Sequence, residues 1–289
     1  MSAAVVTRPL PIRRHMPVAL VAGVGVLLLL IALGAIGSAL IDRGQLRVGS
    51  APFGVPPSLA HPLGTDTAGR DVLALVVYGT PTTLEIGLLA GALGTLIGAL
   101  LGLASGYYRG FIDPVVRVAA DITLTIPALV VLVVLAAFLQ ASTVEVLALI
   151  VGLLAWPGPT RAVRAQTLSL RERGFVSLAK VSGQSDVEII FVEILPNLFP
   201  LIAVSFVSAV SGGILASVGL QLLGLGSITT PSLGVMLQFA FEYGAISRGM
   251  WWWWTPPTVV LTLLFAALYS LTVALDRLAS ARALGGIGR

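Results

Sequence analysis

The sequence predicts an all-α, polytopic integral membrane protein with six transmembrane helices and one short helix in its longest cytoplasmic loop. Three observations predict this. Of the 289 residues, 57% are hydrophobic and 10% charged, against about 25% charged in an ordinary soluble domain. The mean hydropathy of +1.00 leaves too little polar surface to face water. Long uncharged runs recur at roughly the 20 residues that a helix needs to cross a bilayer. Third, the basic residues sit at the ends of these runs and divide unequally between the two sides.

Composition also excludes several functions. The net charge of +4 and the pI near 10.0 could suit a nucleic-acid binder, but the basic residues form no patch or stripe. Membrane orientation accounts for them, and no nucleic-acid partner is expected. There is no cysteine, so disulfides, thiolate metal sites and thiol catalysis are excluded. His15 and His61 are the only histidines, which argues against a histidine metal cluster. Lys180 is the single lysine and is flanked by Ala179 and Val181. A phosphate-binding Walker loop needs Gly-Lys-Ser/Thr, so the chain carries no ATPase of its own.

The uncharged runs are Val18–Ile41, Ile86–Tyr108, Ile122–Val144, Val146–Thr160, Leu198–Phe241 and Gly249–Leu275. The first exceeds the roughly 7–15 residues of a signal-peptide core and reads as a retained anchor. The fourth is short, but it extends if Arg161 and Arg164 reach the interface with their charged ends. The fifth is too long for one crossing. It spans Leu198 to Leu223 and leaves the membrane in the turn-rich stretch GLGSITTPSLG. With the N-terminus inside, 13 of the 17 basic residues are cytoplasmic. The expected organisation is a cytoplasmic N-terminus over 1–17, a six-span transmembrane domain over 18–275 with a cytoplasmic loop at 161–196, and a cytoplasmic tail over 276–289. Membrane lipid is the surrounding partner.

Within the second span lie Gly87, Gly91, Gly94, Gly98, Gly102 and Gly106. At about 100° per residue they share one drifting face, and small residues at this spacing let helices approach closely in lipid. A tightly packed helix pair is expected, with a glycine-lined pore as the alternative. Ser208, Gly212, Ala216 and Gly219 make a similar stripe in the fifth span, and packing against another membrane subunit is expected.

The loop after the fourth span keeps its charges. Read as a helix, Phe175, Leu178, Ala179 and Ser182 form one small, mainly apolar face. Gly183 ends or bends that helix, and Ser185 or Asp186 caps a second one beginning at Val187. Ile189, Ile190 and Ile194 anchor it to the membrane, and Pro196 marks the entry to the fifth span. A push on the short helix is thereby passed to the bundle. An ordinary solvated loop is the plainer alternative.

This segment resembles the EAA loop of ATP-binding-cassette importer permeases, which reads E-A-A, three residues, Gly, nine residues, Ile, one residue, Leu-Pro. Here Ser177, Leu178 and Ala179 take the E-A-A places, Gly183 matches the glycine, and Leu195-Pro196 match the end. Glu193 stands where the pattern has isoleucine. The run from Gly183 to Asn197, GQSDVEIIFVEILPN, is similar to the dipeptide/oligopeptide/nickel branch of that family. So are His61–Gly87, Tyr108–Pro127 and Leu222–Leu237. The tail after Asp276 departs from the branch. The resemblance implies a type I ABC importer permease fold and covers about residues 55–275.

It implies a second permease subunit, two cytoplasmic ATP-binding subunits and an extracytoplasmic substrate-binding protein. This chain itself then needs no cofactor, with ATP and Mg held on the ATPases. Phe175, Ser177, Leu178, Ala179, Lys180 and Gly183 would couple to an ATPase, with Arg171, Arg173 and Lys180 as rim charges. The cargo would be a short peptide, with nickel or another small solute as the alternative. An ion-driven secondary transporter is the rival class, but it calls for inverted repeats and buried carboxylates. A membrane enzyme ranks last.

Three further groups remain. Arg117 and Asp121 lie four apart, and a helical ion pair is expected, with a gating role as the alternative. Asp66, Arg70 and Asp71 fall on an outer loop, where they would contact the binding protein or fix the loop's own turns. Trp251–Trp254 begin the sixth span, where tryptophans favour the interface; contact with a delivered peptide is the alternative. Glu85 and Glu145 are placed near outer span ends.

Overall fold

The computed structural model describes residues 18–139 and 143–285. The segment 1–17 and Arg289, both used in the orientation argument, fall outside the described residues. Helix α1 runs over Val18–Leu40, within one residue of the expected span. A single 3-10 turn at Arg43–Leu46 follows, capped by the Asp42 carboxylate, which accepts from the Gly44 N–H at 3.1 Å.

Helix α2 is Val72–Tyr108, not the expected span from Ile86. Its 37 residues make it roughly 55 Å long at about 1.5 Å per residue, well beyond the ~30 Å hydrocarbon core. Counting uncharged residues stopped at Glu85, but a charge does not stop a helix. The start is set by Asp71, whose carboxylate accepts from the Ala74 N–H at 3.1 Å. Glu85 is therefore not at the start of the helix. It lies inside α2, beside an apolar hollow that Gly34, Leu84, Leu88 and Phe206 help to line.

The third and fourth spans are broken. Helices α3 (Ile112–Thr125) and α4 (Ala128–Phe138) meet at 86°. The cause is Pro127, because the residue before a proline is driven out of the helical region. Ile126 is extended at φ −79°, ψ 131°. Helices α5 (Val144–Leu154) and α6 (Pro157–Arg171) bend by 43°, again at a proline that opens the second helix.

Helix α7 is Gly174–Val181. A single turn, α8 (Asp186–Glu188), passes through a π-helical stretch at Ile189–Ile194 into α9 (Leu195–Leu222). Helix α10 is Leu233–Glu242 and α11 is Trp251–Gly285. Among the described residues four helical stretches can each cross a membrane, and six crossings result if each bent pair counts as one.

Helix α2 is the axis, packed chiefly on α6, α9 and α5, with α1 lying on α11. The six glycines of its stripe are all buried. A Cβ on Gly87 or Gly91 would meet Ile214 or Val210 of α9, and one on Gly94 would meet Ala155. On Gly98, Gly102 and Gly106 it would meet Pro159, Val163 and Thr167 of α6, each within 2.8 Å. This face is thus filled from within the chain. The stripe on α9 differs. A Cβ on Gly212 would touch nothing within 4 Å, and Ser208, Gly212 and Ala216 border an apolar hollow of about 500 Å³ beside the α3–α4 and α5–α6 breaks.

The tryptophan run divides by helix geometry. Trp253 is fully buried and stacks on Tyr243 at 6.5 Å, whereas Trp251 is exposed. Trp252 donates its indole N–H to the Thr65 carbonyl at 3.2 Å. Two of the four therefore lock α11 to the rest of the fold, which an interfacial belt alone would not require.

Candidate functional site

The segment after α6 forms a helix that is capped at its C-terminal end. Arg173 is extended at φ −77°, ψ 149° and starts α7. At the other end Gly183 has φ +77°. Its N–H donates to the Lys180 carbonyl at 3.1 Å, and the Gln184 N–H donates to the Ala179 carbonyl at 3.2 Å. This pair of bonds is a Schellman cap, which needs a left-handed residue at the glycine position. Ser185 then caps the next turn, its hydroxyl accepting from the Glu188 N–H at 3.3 Å, so that helix begins at Asp186, one residue earlier than expected.

The two faces of α7 are not those read from spacing. Val176 and Ala179 point inward and pack with Leu103, Ile189, Ile190 and Ile194. Ala179 therefore cannot be a surface contact; the tertiary core claims the smallest side chain of the expected face. The outward side carries Phe175, Leu178 and Val181 at 37%, 69% and 87% exposure, with Ser177 and Ser182 also exposed. Three outward apolar residues on an eight-residue helix suit a partner surface better than water.

The charges also differ. Lys180 turns back, its Nζ 5.4 Å from the centre of the Tyr107 ring. Arg171 donates from Nη1 to the Tyr107 carbonyl at 2.5 Å. Of the three expected rim charges, Arg171 and Lys180 are engaged inside the chain, which leaves Arg173 on the exposed side.

Around this end, arginine–carboxylate pairs bind α6 to its neighbours. Arg164 holds Asp113 with two hydrogen bonds, the one from Nη2 measuring 2.8 Å. Arg109 meets Glu172 at 2.6 Å. Arg161 meets Asp121 at 2.5 Å, so Asp121 is paired with α6 and not with Arg117 of its own helix. Packing of α6 along α3 brings Arg161 within reach. Among the described residues Arg117 makes no ion pair. Both Arg161 and Asp121 are about half exposed, so Asp121→Asn should cost under about 1 kcal/mol, and a thermal-unfolding series should show a small shift.

At the opposite end, the loop before α2 spends its charges on itself. Asp66 is fully buried. Its Oδ1 accepts from the Ala68 and Arg70 N–H groups, and its Oδ2 pairs with Arg70 Nε at 2.6 Å. Asp71 caps α2 and also meets His61 Nδ1 at 2.8 Å. Arg70 lies 5.0 Å from the centre of the Phe239 ring. Of the two roles open to Asp66, Arg70 and Asp71, turn-fixing is what their geometry performs.

Sequence reasoning missed Tyr107, Arg171 as an inward anchor, and the Asp113–Arg164 pair. These partners are 51 to 79 residues apart, and no local pattern marks such contacts.

A multi-pass membrane bundle with a capped, outward-apolar loop helix at one end is the architecture of a transporter's permease component. Residues 94–284 match the family of binding-protein-dependent transport system inner membrane components, and the chain belongs to that family. It is 34% identical to a dipeptide transport system permease protein of Haemophilus influenzae, over 63% of this chain and 61% of that one. It is 31% identical to an oligopeptide transport system permease protein of Lactococcus lactis subsp. cremoris, over 78% and 77%. A glutathione transport system permease protein of Pectobacterium atrosepticum shares 32%, over 64% and 61%. The matches to the Haemophilus and Pectobacterium proteins thus span less than two thirds of those relatives. The fold is also similar to a chain of the inward-facing MetNI methionine ABC transporter, with TM-score 0.54 and 21% identity over 72% of this chain and 95% of that one. The chain is an inner membrane component of a binding-protein-dependent transport system.

Proposed function

We propose that this permease imports short peptides, paired with a second permease, two cytoplasmic ATP-binding subunits and an extracytoplasmic binding protein. The observation that carries the coupling part is α7, an exposed apolar face on a helix closed by the Schellman cap at Gly183. The peptide part rests on relatives named as dipeptide, oligopeptide and glutathione permeases. Both termini and the α7 end face the cytoplasm, where the basic residues gather. ATP and magnesium reside on the partner ATPases. ATP binding closes the ATPases, α7 follows, and the bundle exchanges an inward-open for an outward-open packing. This subunit's share is the free-energy difference between those two packings.

Affinity purification from the native membrane in mild detergent, followed by mass spectrometry, tests the assignment. A second permease and a P-loop ATPase should accompany the chain. Leu178→Asp places a charge in the docking face without touching the core, and ATPase recovery should fall at least tenfold. A chain that purifies alone would favour ion-driven transport, and Glu85, an acid inside α2, would be the carboxylate to test first.

A further inference from the structure

We infer that Tyr107 is a positioning residue that clamps the α7 loop to the end of α2, so that a displacement of α7 reaches the whole bundle. The inference rests on the docking of an ATPase at α7 proposed above.

Tyr107 is the penultimate residue of α2 and is 3% exposed. Its hydroxyl donates to Asp186 Oδ1 at 2.6 Å. Its ring centre lies 5.6 Å from the Arg171 guanidinium carbon and 5.4 Å from Lys180 Nζ. Its carbonyl accepts from Arg171 at 2.5 Å. One residue therefore touches the end of α6, α7 and the first residue of α8. A hydrogen bond to a carboxylate is stronger than one between neutral groups, and each cation over the ring adds a further attraction.

The clamp matters because the covalent route from α7 to the bundle is soft. It runs through Gly183 in a left-handed conformation and then through the π-helical stretch Ile189–Ile194. A π-helical stretch inside an α-helix departs from the regular bonding ladder and frequently marks a functional site. A push on α7 can be absorbed at either point before α9 moves. The contact of Lys180 with the Tyr107 ring joins α7 to α2 without crossing either point, and the hydroxyl bond ties the far side of Gly183 to the same residue. This route ends on α2, which runs the length of the bundle and is seated on α5, α6 and α9 through its glycine face. A residue that only stabilised the loop would need the hydroxyl bond or the cations, but not contact with every segment around the break.

The native absence of cysteine allows a readout that is independent of the cargo. Gly212→Cys places a thiol beside the hollow along α9, where a Cβ meets nothing within 4 Å. In the purified complex its maleimide-labelling rate should change when ATP and vanadate are added. Tyr107→Phe keeps the ring and removes the hydroxyl; Asp186→Ala removes the acceptor, which asparagine would still supply. Each should shrink the ATP-dependent change in labelling at least threefold while the ATPase still co-purifies. The double variant should be no worse than either single one, because both break one bond. An unaltered response in both variants overturns the inference. If Tyr107→Phe prevents assembly, Asp186→Ala, at the solvent-facing end of the bond, decides. A parent complex that retains its ATPase but shows no response to ATP overturns the clamp and leaves the docking reading standing; loss of the ATPase from the parent complex overturns the docking reading.

Discussion

Gly98→Leu should abolish recovery of folded protein, the largest structural effect expected from one substitution in this chain. A Cβ on Gly98 would already sit 2.6 Å from Pro159 Cβ, 2.7 Å from the Trp156 carbonyl oxygen and 3.0 Å from the Thr160 nitrogen. Two of these are backbone atoms of the α5–α6 junction and the start of α6, so no rotamer change relieves the clash. Extra methylenes in a packed interior cost about 1–3 kcal/mol even where side chains can adjust. Here the helices must separate, and α6 carries the arginines that hold Asp113 and Asp121. Gly212→Ala is the control: it adds a methyl where nothing lies within 4 Å, and its yield should match the parent. Size-exclusion profiles and thermal midpoints in detergent check both. A monodisperse Gly98→Leu protein with an unchanged midpoint would mean that α2 and α6 do not pack at this distance.

The contrast between these glycines shows what the sequence could and could not reveal. Spacing marked both stripes as small faces. It could not say that α2's stripe is filled by α5, α6 and α9 while α9's stripe is open, because that depends on which helices fold back. The loop was more legible. Gly183 and Ser185 are local devices, and their chemistry acts within a few residues. The long α2 was missed because Glu85 interrupts an apolar run without interrupting a helix, and the true boundary signal was Asp71. The breaks at Ile126 and Ala155 had visible prolines, but apolar counting is blind to direction. Ala179 was placed on the wrong side of α7 because periodicity defines a face, not what covers it. Tyr107 could not be found at all: its partners are brought together only by the fold.

Gly183→Val should uncouple ATP hydrolysis from transport, while Gly183→Asn should preserve most of it. At φ +77° a β-branched residue is strained, and the left-handed region costs ordinary L-residues about 1–2 kcal/mol. Asparagine visits that region far more readily, and no neighbour lies within 4 Å of the added Cβ, so space does not separate the two variants. Conformation does. Loss of the left-handed residue removes the two capping bonds, from Gly183 to Lys180 and from Gln184 to Ala179. It also redirects the chain before Ser185, and with it Asp186 and its bond to Tyr107. The outward face of Phe175, Leu178 and Val181 lies on the near side of this turn and is left intact, so the ATPase should still bind. Substrate-stimulated ATP hydrolysis and uptake of a labelled dipeptide, measured on the same proteoliposomes, should therefore diverge in Gly183→Val, with uptake per ATP down at least fivefold. Equal coupling in valine, asparagine and parent proteins would show that the turn is only a connection, and that force enters the bundle by another path.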